Sequence, residues 1–288
     1  MSMRHVLMLV CYSKIMDYKR IKNWQKLPEL KKLKDLSSPP KELFFLGKWD
    51  PKIFKSSVAV VGSRKMTDYG RRVIEKIIPK LVFEKKTIVS GFMTGVDQAA
   101  HLNCVESGGK TIAVLGWGIN YKLERADLKL AERIIESGGL IISEWENQKP
   151  TLWTFPYRNR IVAALSSEVI IIEAAIKSGS LITARFAEKL KRKVWAVPGP
   201  ITSRTSMGTN SLIANQKAQM WIDIPPQPEI TISGDPLLTL IQNEPLTTNE
   251  ISRNLKLSVS QVGAQLSLLT LQGILIEREG KYYLNDAG

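Results

Sequence analysis

Three short loops rich in glycine and serine have the composition of phosphate-binding loops. They are Gly62-Ser63-Arg64, Ser90-Gly91 followed by Gly95, and Lys177-Ser178-Gly179-Ser180. Backbone N–H groups left open at the start of a helix attract anions, and the guanidinium of Arg64 can hold a phosphate through two parallel hydrogen bonds. Taken alone, the first loop is equally a capped turn with an exposed arginine. The prediction of a shared phosphate site therefore depends on all three loops.

A fourth segment, residues 151–160, combines three aromatic side chains with two arginines. If this segment is extended, Trp153, Phe155 and Tyr157 project to one side, since side chains alternate along a strand. Aromatic faces beside guanidinium groups suit unstacked bases and their phosphates. The alternative is that Trp153 or Phe155 anchors the loop in the core, with Pro156 just before a helix. We expect at least one of these aromatics to be buried in that way.

The remaining reactive side chains do not form a recognisable catalytic or metal site. His5, His101, Cys11 and Cys104 are the only histidines and cysteines, and their spacing does not match a zinc site. His101 and Cys104 can share a helix face, but no third group is evident to orient such a dyad, so we interpret them as structural. The motifs of dinucleotide-binding folds, P-loops and α/β-hydrolases are also missing. We therefore predict no catalytic residue, no cofactor and no metal.

The charge distribution favours a polyanionic partner. The chain has 41 Lys and Arg against 27 Asp and Glu, a net charge of +14. The net charge is +8 over residues 1–56, +8 over 57–234 and −2 over 235–288. An excess of basic residues also aids solubility, but at this size of excess we favour nucleic acid, bound by the first two segments.

The apolar runs predict an α/β fold with a doubly wound, mostly parallel, Rossmann-like sheet. Runs with the character of buried parallel strands alternate with helical segments, at about 25 to 30 residues for each βαβ unit. The predicted strands are residues 58–61, 88–90, 111–115, 140–142, 169–172 and 194–197. Ligands of such sheets bind at the carboxyl ends of the strands, so we expect the three loops to meet there.

Four segments are expected along the chain. Residues 1–56 are a basic, partly helical N-terminal extension, and residues 57–223 are the Rossmann-like core. Residues 224–234 are rich in proline and form a linker. Residues 235–288 have the pattern of a winged helix, with three helices and a hairpin. The third of these helices, over residues 259–271, has no Lys or Arg, so we predict that it contacts protein rather than the major groove of DNA.

The sequence contains no segment expected to enter a membrane. The apolar residues 5–12 are too few to span a bilayer, Ser13-Lys14 interrupts them, and no small-residue cleavage site follows. Two cysteines in 288 residues fit a reducing compartment. We expect a cytoplasmic protein.

The loop motifs occur in the order seen in the DprA/Smf family of DNA-processing proteins, and residues 39–223 resemble the core domain of that family. The matching residues are Gly62-Ser63-Arg64, Ser90-Gly91, Gly95-Val96-Asp97, Phe155-Pro156, Arg158-Asn159-Arg160-Ile161, Glu173-Ala174, residues 178–184 and Pro198-Gly199. The tail resembles the family's small winged-helix domain. The resemblance implies a homodimer without enzymatic activity. Such a protein binds single-stranded DNA, protects it, and loads a RecA-type recombinase during natural transformation or recombination.

The resemblance also implies which residues bind DNA and its phosphates. They are Gly62, Ser63, Arg64, Ser90, Gly91, Phe155, Arg158, Asn159, Arg160, Lys177 and Ser178. Three pairs depart from the family pattern. Phe92-Met93, Tyr121-Lys122 and Lys217-Ala218 stand where the family usually has Ala, Tyr-Pro and Gly-Ala.

Two other functions stay open at this point. A nucleotide-binding enzyme of the phosphoribohydrolase-like fold would use the same helix starts for a single phosphate. That class normally shows Pro-Gly-Gly-x-Gly-Thr-x-x-Glu, whereas residues 173–180 here are Glu-Ala-Ala-Ile-Lys-Ser-Gly-Ser. A regulator would bind duplex DNA through the winged helix, but the net charge of −2 over residues 235–288 disfavours that hypothesis.

Overall fold

A computed structural model describes residues 17–222 and 235–284. The chain divides between Ile222 and Asp223 into two compact units. The predicted linker over residues 224–234, the apolar run over residues 5–12, His5 and Cys11 lie outside the described residues.

Over residues 17–222, nine strands form the sheet of the first unit. They are β1 (Lys19–Ile21), β2 (Leu43–Leu46), β3 (Ser57–Val61), β4 (Thr87–Ser90), β5 (Thr111–Val114), β6 (Leu140–Ser143), β7 (Glu168–Ile171), β8 (Lys193–Ala196) and β9 (Gln219–Met220). Their spatial order is β1-β2-β6-β5-β4-β3-β7-β8-β9. Neighbours from β6 to β9 run parallel, and β1 and β2 are antiparallel at one edge. The doubly wound, mostly parallel sheet is therefore confirmed.

Six helices connect these strands. They are α1 (Asp68–Phe83), α2 (Val96–Glu106), α3 (Arg125–Glu136), α4 (Thr154–Leu165), α5 (Ser180–Lys189) and α6 (Met207–Ala214). Successive side chains of β3 alternate between the two faces of the sheet, and helices cover both faces. Val58 and Val60 pack in one cluster with residues of α1 and α2. Ala59 and Val61 pack in another with residues of α4 and α5.

Residues 17–56 of the N-terminal segment fold as part of the same unit. Trp24, Leu30 and Leu33 are buried, in short 3-10 helices rather than one α-helix, and Trp24 Nε1 donates to the Pro40 carbonyl at 2.8 Å. Strand β2 was not predicted. Its four apolar residues pair with β1 and β6, a long-range contact that local periodicity does not encode.

Residues 235–284 of the second unit form three helices and a three-stranded sheet. They are α7 (Pro236–Asn243), α8 (Thr248–Leu255) and α9 (Val259–Leu271), with β10 (Leu246–Thr247), β11 (Leu275–Arg278) and β12 (Lys281–Leu284). Capping boxes begin α8 and α9, with Thr247 paired to Glu250 and Ser258 to Gln261. Each satisfies backbone donors at a helix start. The helices and the hairpin match the sequence prediction, and β10 adds a short strand against β12.

Candidate nucleic-acid interface

A cleft of about 730 Å³ opens at the carboxyl ends of β3, β4 and β7. The chain runs from β3 toward β6 on one side and from β7 toward β9 on the other. The cleft therefore lies at the point where the strand order reverses, the usual ligand site of such sheets. All three glycine and serine loops contribute to its lining, so they meet as expected.

Nine of the eleven expected binding residues line this cleft. They are Gly62, Ser63, Arg64, Gly91, Phe155, Arg158, Asn159, Lys177 and Ser178. Asn159 also joins α4 to the third loop, because its Nδ2 donates to the Gly179 carbonyl at 3.1 Å. The two that do not line the cleft are Ser90 and Arg160.

The lining of the cleft is strongly cationic. Arg64, Lys65, Lys177 and Arg204 are exposed along it, and none of the four makes an ion pair with another described residue. The Arg64 guanidinium lies 4.9 Å from the centre of the Phe155 ring, in a cation–π contact. Sequence reasoning missed Lys65 and Arg204. Each is a charged residue within a loop, and no motif distinguishes either from other surface charges.

Arg158 lies at the floor of the cleft and is only 2% exposed. Its Nη1 donates to the Val114 carbonyl at 2.8 Å, and its Nε has no partner among the described residues. Burial lowers the pKa of Arg158 to about 10, so the guanidinium remains charged at neutral pH. Burial also raises the pKa of the neighbouring Asp97 carboxyl, against the opposing effect of Arg158.

Gly91 makes room for this buried arginine. A Cβ atom at position 91 would lie 1.9 Å from Arg158 Nη1 and 2.5 Å from Asp97 Oδ2. Gly95 is required for a different reason. Its φ of +89° lies in the region that favours glycine, and a Cβ there would be 2.3 Å from the Ser63 carbonyl oxygen.

Arg160, which the resemblance placed among the binding residues, does not line the cleft. Its guanidinium forms a buried ion pair with both Glu144 carboxylate oxygens, at 2.6 and 2.7 Å, and its Nε donates to the Ser38 carbonyl at 2.8 Å. Because α4 begins at Thr154, Arg158 and Arg160 are two positions apart on a helix and face different sides.

Ser90 also lies outside the lining of the cleft. It is buried, and its Oγ donates to the Val60 carbonyl at 2.6 Å. The hydroxyl therefore ties β4 to the adjacent strand β3, and it also opposes the rise in the pKa of the nearby Asp97 carboxyl.

The aromatic segment is helical from Thr154 onward and not extended. Pro156 lies in the first turn of α4, a position where its missing N–H costs nothing. Phe155 therefore lines the cleft, half-buried beside Trp117 at 6.1 Å between ring centres. Trp153 is 54% exposed and is not a core anchor, so neither of the two aromatics is fully buried.

Glu173 holds the loops around the cleft together. Its buried carboxylate accepts hydrogen bonds from the Thr67 backbone N–H at 2.9 Å, the Thr67 hydroxyl at 2.5 Å and the Thr205 hydroxyl at 3.1 Å. The sequence marked Glu173 within a motif but gave no role for it. The structure shows that it connects the loop after β3 with the loop after β8.

His101 and Cys104 lie in the core. Burial lowers the pKa of His101 to about 3 and raises the pKa of the Cys104 thiol to about 12, so both are uncharged at neutral pH. The Nδ1 of His101 is 2.7 Å from the Thr111 hydroxyl. Over residues 17–222 and 235–284, no three His, Cys, Asp or Glu side chains are grouped to hold a metal ion. In those same ranges no helix has the length and apolar character to cross a bilayer.

Comparison with known proteins identifies relatives among the DNA-processing proteins. A Protein Smf of Synechocystis is 40% identical over 185 residues, which are 63% of this chain and 46% of the relative. The DNA processing protein DprA of Streptococcus pneumoniae is 39% identical over 211 residues, 70% of this chain and 74% of the relative. The matched part thus spans about half of the cyanobacterial protein and three quarters of the pneumococcal one.

Two solved structures share the fold. DNA processing protein A of Helicobacter pylori, described for its mode of binding single-stranded DNA, is 32% identical with a TM-score of 0.64, and the match covers 73% of this chain and 93% of that one. The S. pneumoniae DprA structure is 33% identical with a TM-score of 0.63, over 77% of this chain and 75% of that one. The family model described as DNA recombination-mediator protein A matches residues 22–227. The chain is therefore a member of the DNA recombination-mediator protein A family.

Proposed function

We propose that this protein binds single-stranded DNA in the cleft at the carboxyl ends of β3, β4 and β7. The observation that carries the proposal is the set of four exposed cations without ion pairs, Arg64, Lys65, Lys177 and Arg204, around loops of glycine and serine. Phosphate groups bind such arrangements through guanidinium and ammonium groups together with open backbone N–H groups.

The shape of the cleft favours an unpaired strand over a duplex. The cations surround a concave site in which Phe155 presents a ring beside the Arg64 guanidinium. A base reaches such a ring only when it is free of its complementary strand, and ring stacking is a common means of binding single strands without sequence preference. The H. pylori relative, described as binding single-stranded DNA, supports the same choice.

We extend the proposal to the role of a recombination mediator. As the resemblance of its sequence motifs implies, the protein would protect an incoming or processed strand and load a RecA-type recombinase onto it, as a non-enzymatic homodimer. The uncharged helix α9, whose Leu268 and Leu271 are exposed, supports a protein contact for the second unit rather than a DNA contact.

The proposal is tested by fluorescence anisotropy with a labelled oligothymidylate and two variants at residues on either side of strand β3. Arg64→Ala removes a cation at the carboxyl end of β3 and is expected to weaken binding at least tenfold, as loss of a charge-assisted contact does. Lys55→Ala removes an exposed cation near the amino end of β3 and is expected to leave binding unchanged.

Equal affinities of the wild-type protein and Arg64→Ala at moderate salt would overturn the proposal. Incubation with AMP tests the alternative enzyme class at the same time. We expect no release of free base from the nucleotide, and release by the wild-type protein but not by Arg64→Ala would favour the nucleotide-binding enzyme.

A further inference from the structure

Three aromatic side chains form an exposed cluster next to the cleft. Trp145, Trp153 and Tyr157, which we name the aromatic shelf, are in mutual contact, with ring centres 5.8, 5.9 and 6.1 Å apart. Trp153 and Tyr157 remain substantially exposed in this arrangement. Large exposed aromatics in contact with one another usually mark a binding surface, because single exposed apolar residues are common and clusters of them are not.

The shelf is held from beneath by a buried ion pair. The Arg160 guanidinium lies 3.8 Å from the centre of the Tyr157 ring and is paired with Glu144. The Tyr157 hydroxyl is 2.9 Å from the Ser38 hydroxyl. These contacts fix the Tyr157 ring while its exposed side faces solvent, so the surface is prepared before any ligand arrives.

The shelf is continuous with the cleft. Trp153 stands between Leu152 and Phe155, both of which line the cleft. Trp153 occupies the N-cap position of α4. In the same helix Phe155 and Arg158 line the cleft, whereas Tyr157 belongs to the shelf.

The chemistry of the shelf selects nucleobases among possible occupants. Its contact surface consists of π faces, and every base offers a π face that can stack on them regardless of sequence. The continuity with a cationic cleft provides binding for the sugar-phosphate chain that would carry those bases. An apolar peptide or a second copy of this chain would have no use for the adjoining cations.

We propose that the aromatic shelf stacks the bases of nucleotides that flank the ones held in the cleft. This inference rests on the proposed binding of single-stranded DNA and adds a second, base-dependent contact outside the cleft. It divides the interface in two, with phosphate contacts in the cleft and base contacts on Trp145, Trp153 and Tyr157.

The test compares two oligomers that share a sugar-phosphate chain. One is oligothymidylate, and the other has abasic sites in place of the outer thymidines and intact thymidines in the middle. Trp153→Ala is expected to weaken binding of oligothymidylate about fivefold or more, the range for loss of one base–aromatic stack. The same variant is expected to bind the oligomer with abasic ends as the wild-type protein does.

Two further variants control for size and for aromatic character. Phe83→Ala removes an aromatic side chain that is 87% exposed at the end of α1, outside the lining of the cleft, and is expected to leave the affinity for both oligomers unchanged. Trp153→Phe retains a ring and is expected to restore most of the affinity for oligothymidylate. Thermal unfolding of each variant verifies that the fold is intact.

Each outcome decides the inference. If Trp153→Ala lowers the affinity for both oligomers equally, the shelf contacts the sugar-phosphate chain or supports the cleft, and the stacking proposal is wrong. If this variant changes the affinity for neither oligomer, the shelf has another occupant and the proposal is equally wrong. Arg64→Ala separates this failure from failure of the proposed function, because it must weaken both oligomers if the cleft binds DNA at all.

Discussion

Removing one partner of the buried pair of Arg160 and Glu144 is expected to destabilise the protein, and replacing both partners by apolar residues is expected to avoid most of that loss. Glu144→Ala leaves the Arg160 charge, 3% exposed, without its counterion. Loss of one partner of a buried pair costs about 3 to 5 kcal/mol. The Ser38 and Tyr157 carbonyls still accept hydrogen bonds from Arg160. We therefore expect a loss at the lower end of this range, about 3 kcal/mol. That loss lowers Tm by roughly 6 °C or more in a unit of this size.

The double variant Glu144→Leu with Arg160→Met is expected to recover most of this loss, because apolar residues of similar volume often replace a buried ion pair at little cost. Urea unfolding and thermal scans measure both effects. Binding of the oligomer with abasic ends then tests the placement of Arg160 outside the cleft. A stable double variant that loses as much affinity for this oligomer as Arg64→Ala does would show that Arg160 contacts DNA and would refute the reasoning.

Three other outcomes are expected. Gly91→Ala places a Cβ against the confined Arg158 guanidinium and should destabilise the protein by about 1 to 3 kcal/mol, measured by urea unfolding, with weaker oligothymidylate binding. His101 has a folded pKa of about 3, below its unfolded value, so its contribution to stability is full above the unfolded pKa and is lost as pH falls. Stability should drop by about 1.4 kcal/mol between pH 7.5 and 5.5 relative to a His101→Gln control, and an equal drop in both proteins would contradict the assignment. The four exposed cleft cations predict a slope of log K against log salt of about −3 for single-stranded DNA. A slope near zero in the same anisotropy assay would contradict phosphate binding.

The strands of the core were predictable from sequence because each is a local apolar run. Residues 58–61 and 169–172 are buried on both faces, and such strands appear as continuous hydrophobic stretches. The loops after them carry the glycines and serines. Since all parallel strands end at the same edge, the position of the cleft followed from strand direction alone.

The pairing of strand β2 and the positions of two side chains were not predictable in the same way. Leu43–Leu46 is itself a short apolar run, so the strand was missed although its signal was present. Its pairing with β6, about a hundred residues away, has no local signal. Ser90 and Arg160 stand beside true cleft residues in sequence. Arg160 points elsewhere because residues two positions apart on a helix face different sides, and the Ser90 hydroxyl is bonded within the sheet to the Val60 carbonyl.

Burial divides the arginines of this region into two physical roles. Arg158 and Arg160 are both almost wholly buried and each lies beside a carboxylate, Asp97 and Glu144 respectively. Both guanidinium groups are withdrawn from solvent, so they contribute less than an exposed arginine to the attraction of a distant polyanion. Arg64 is exposed and has no carboxylate partner among the described residues. Long-range attraction and counterion release therefore belong to the exposed set, and the buried arginines shape the surfaces on which a strand would lie.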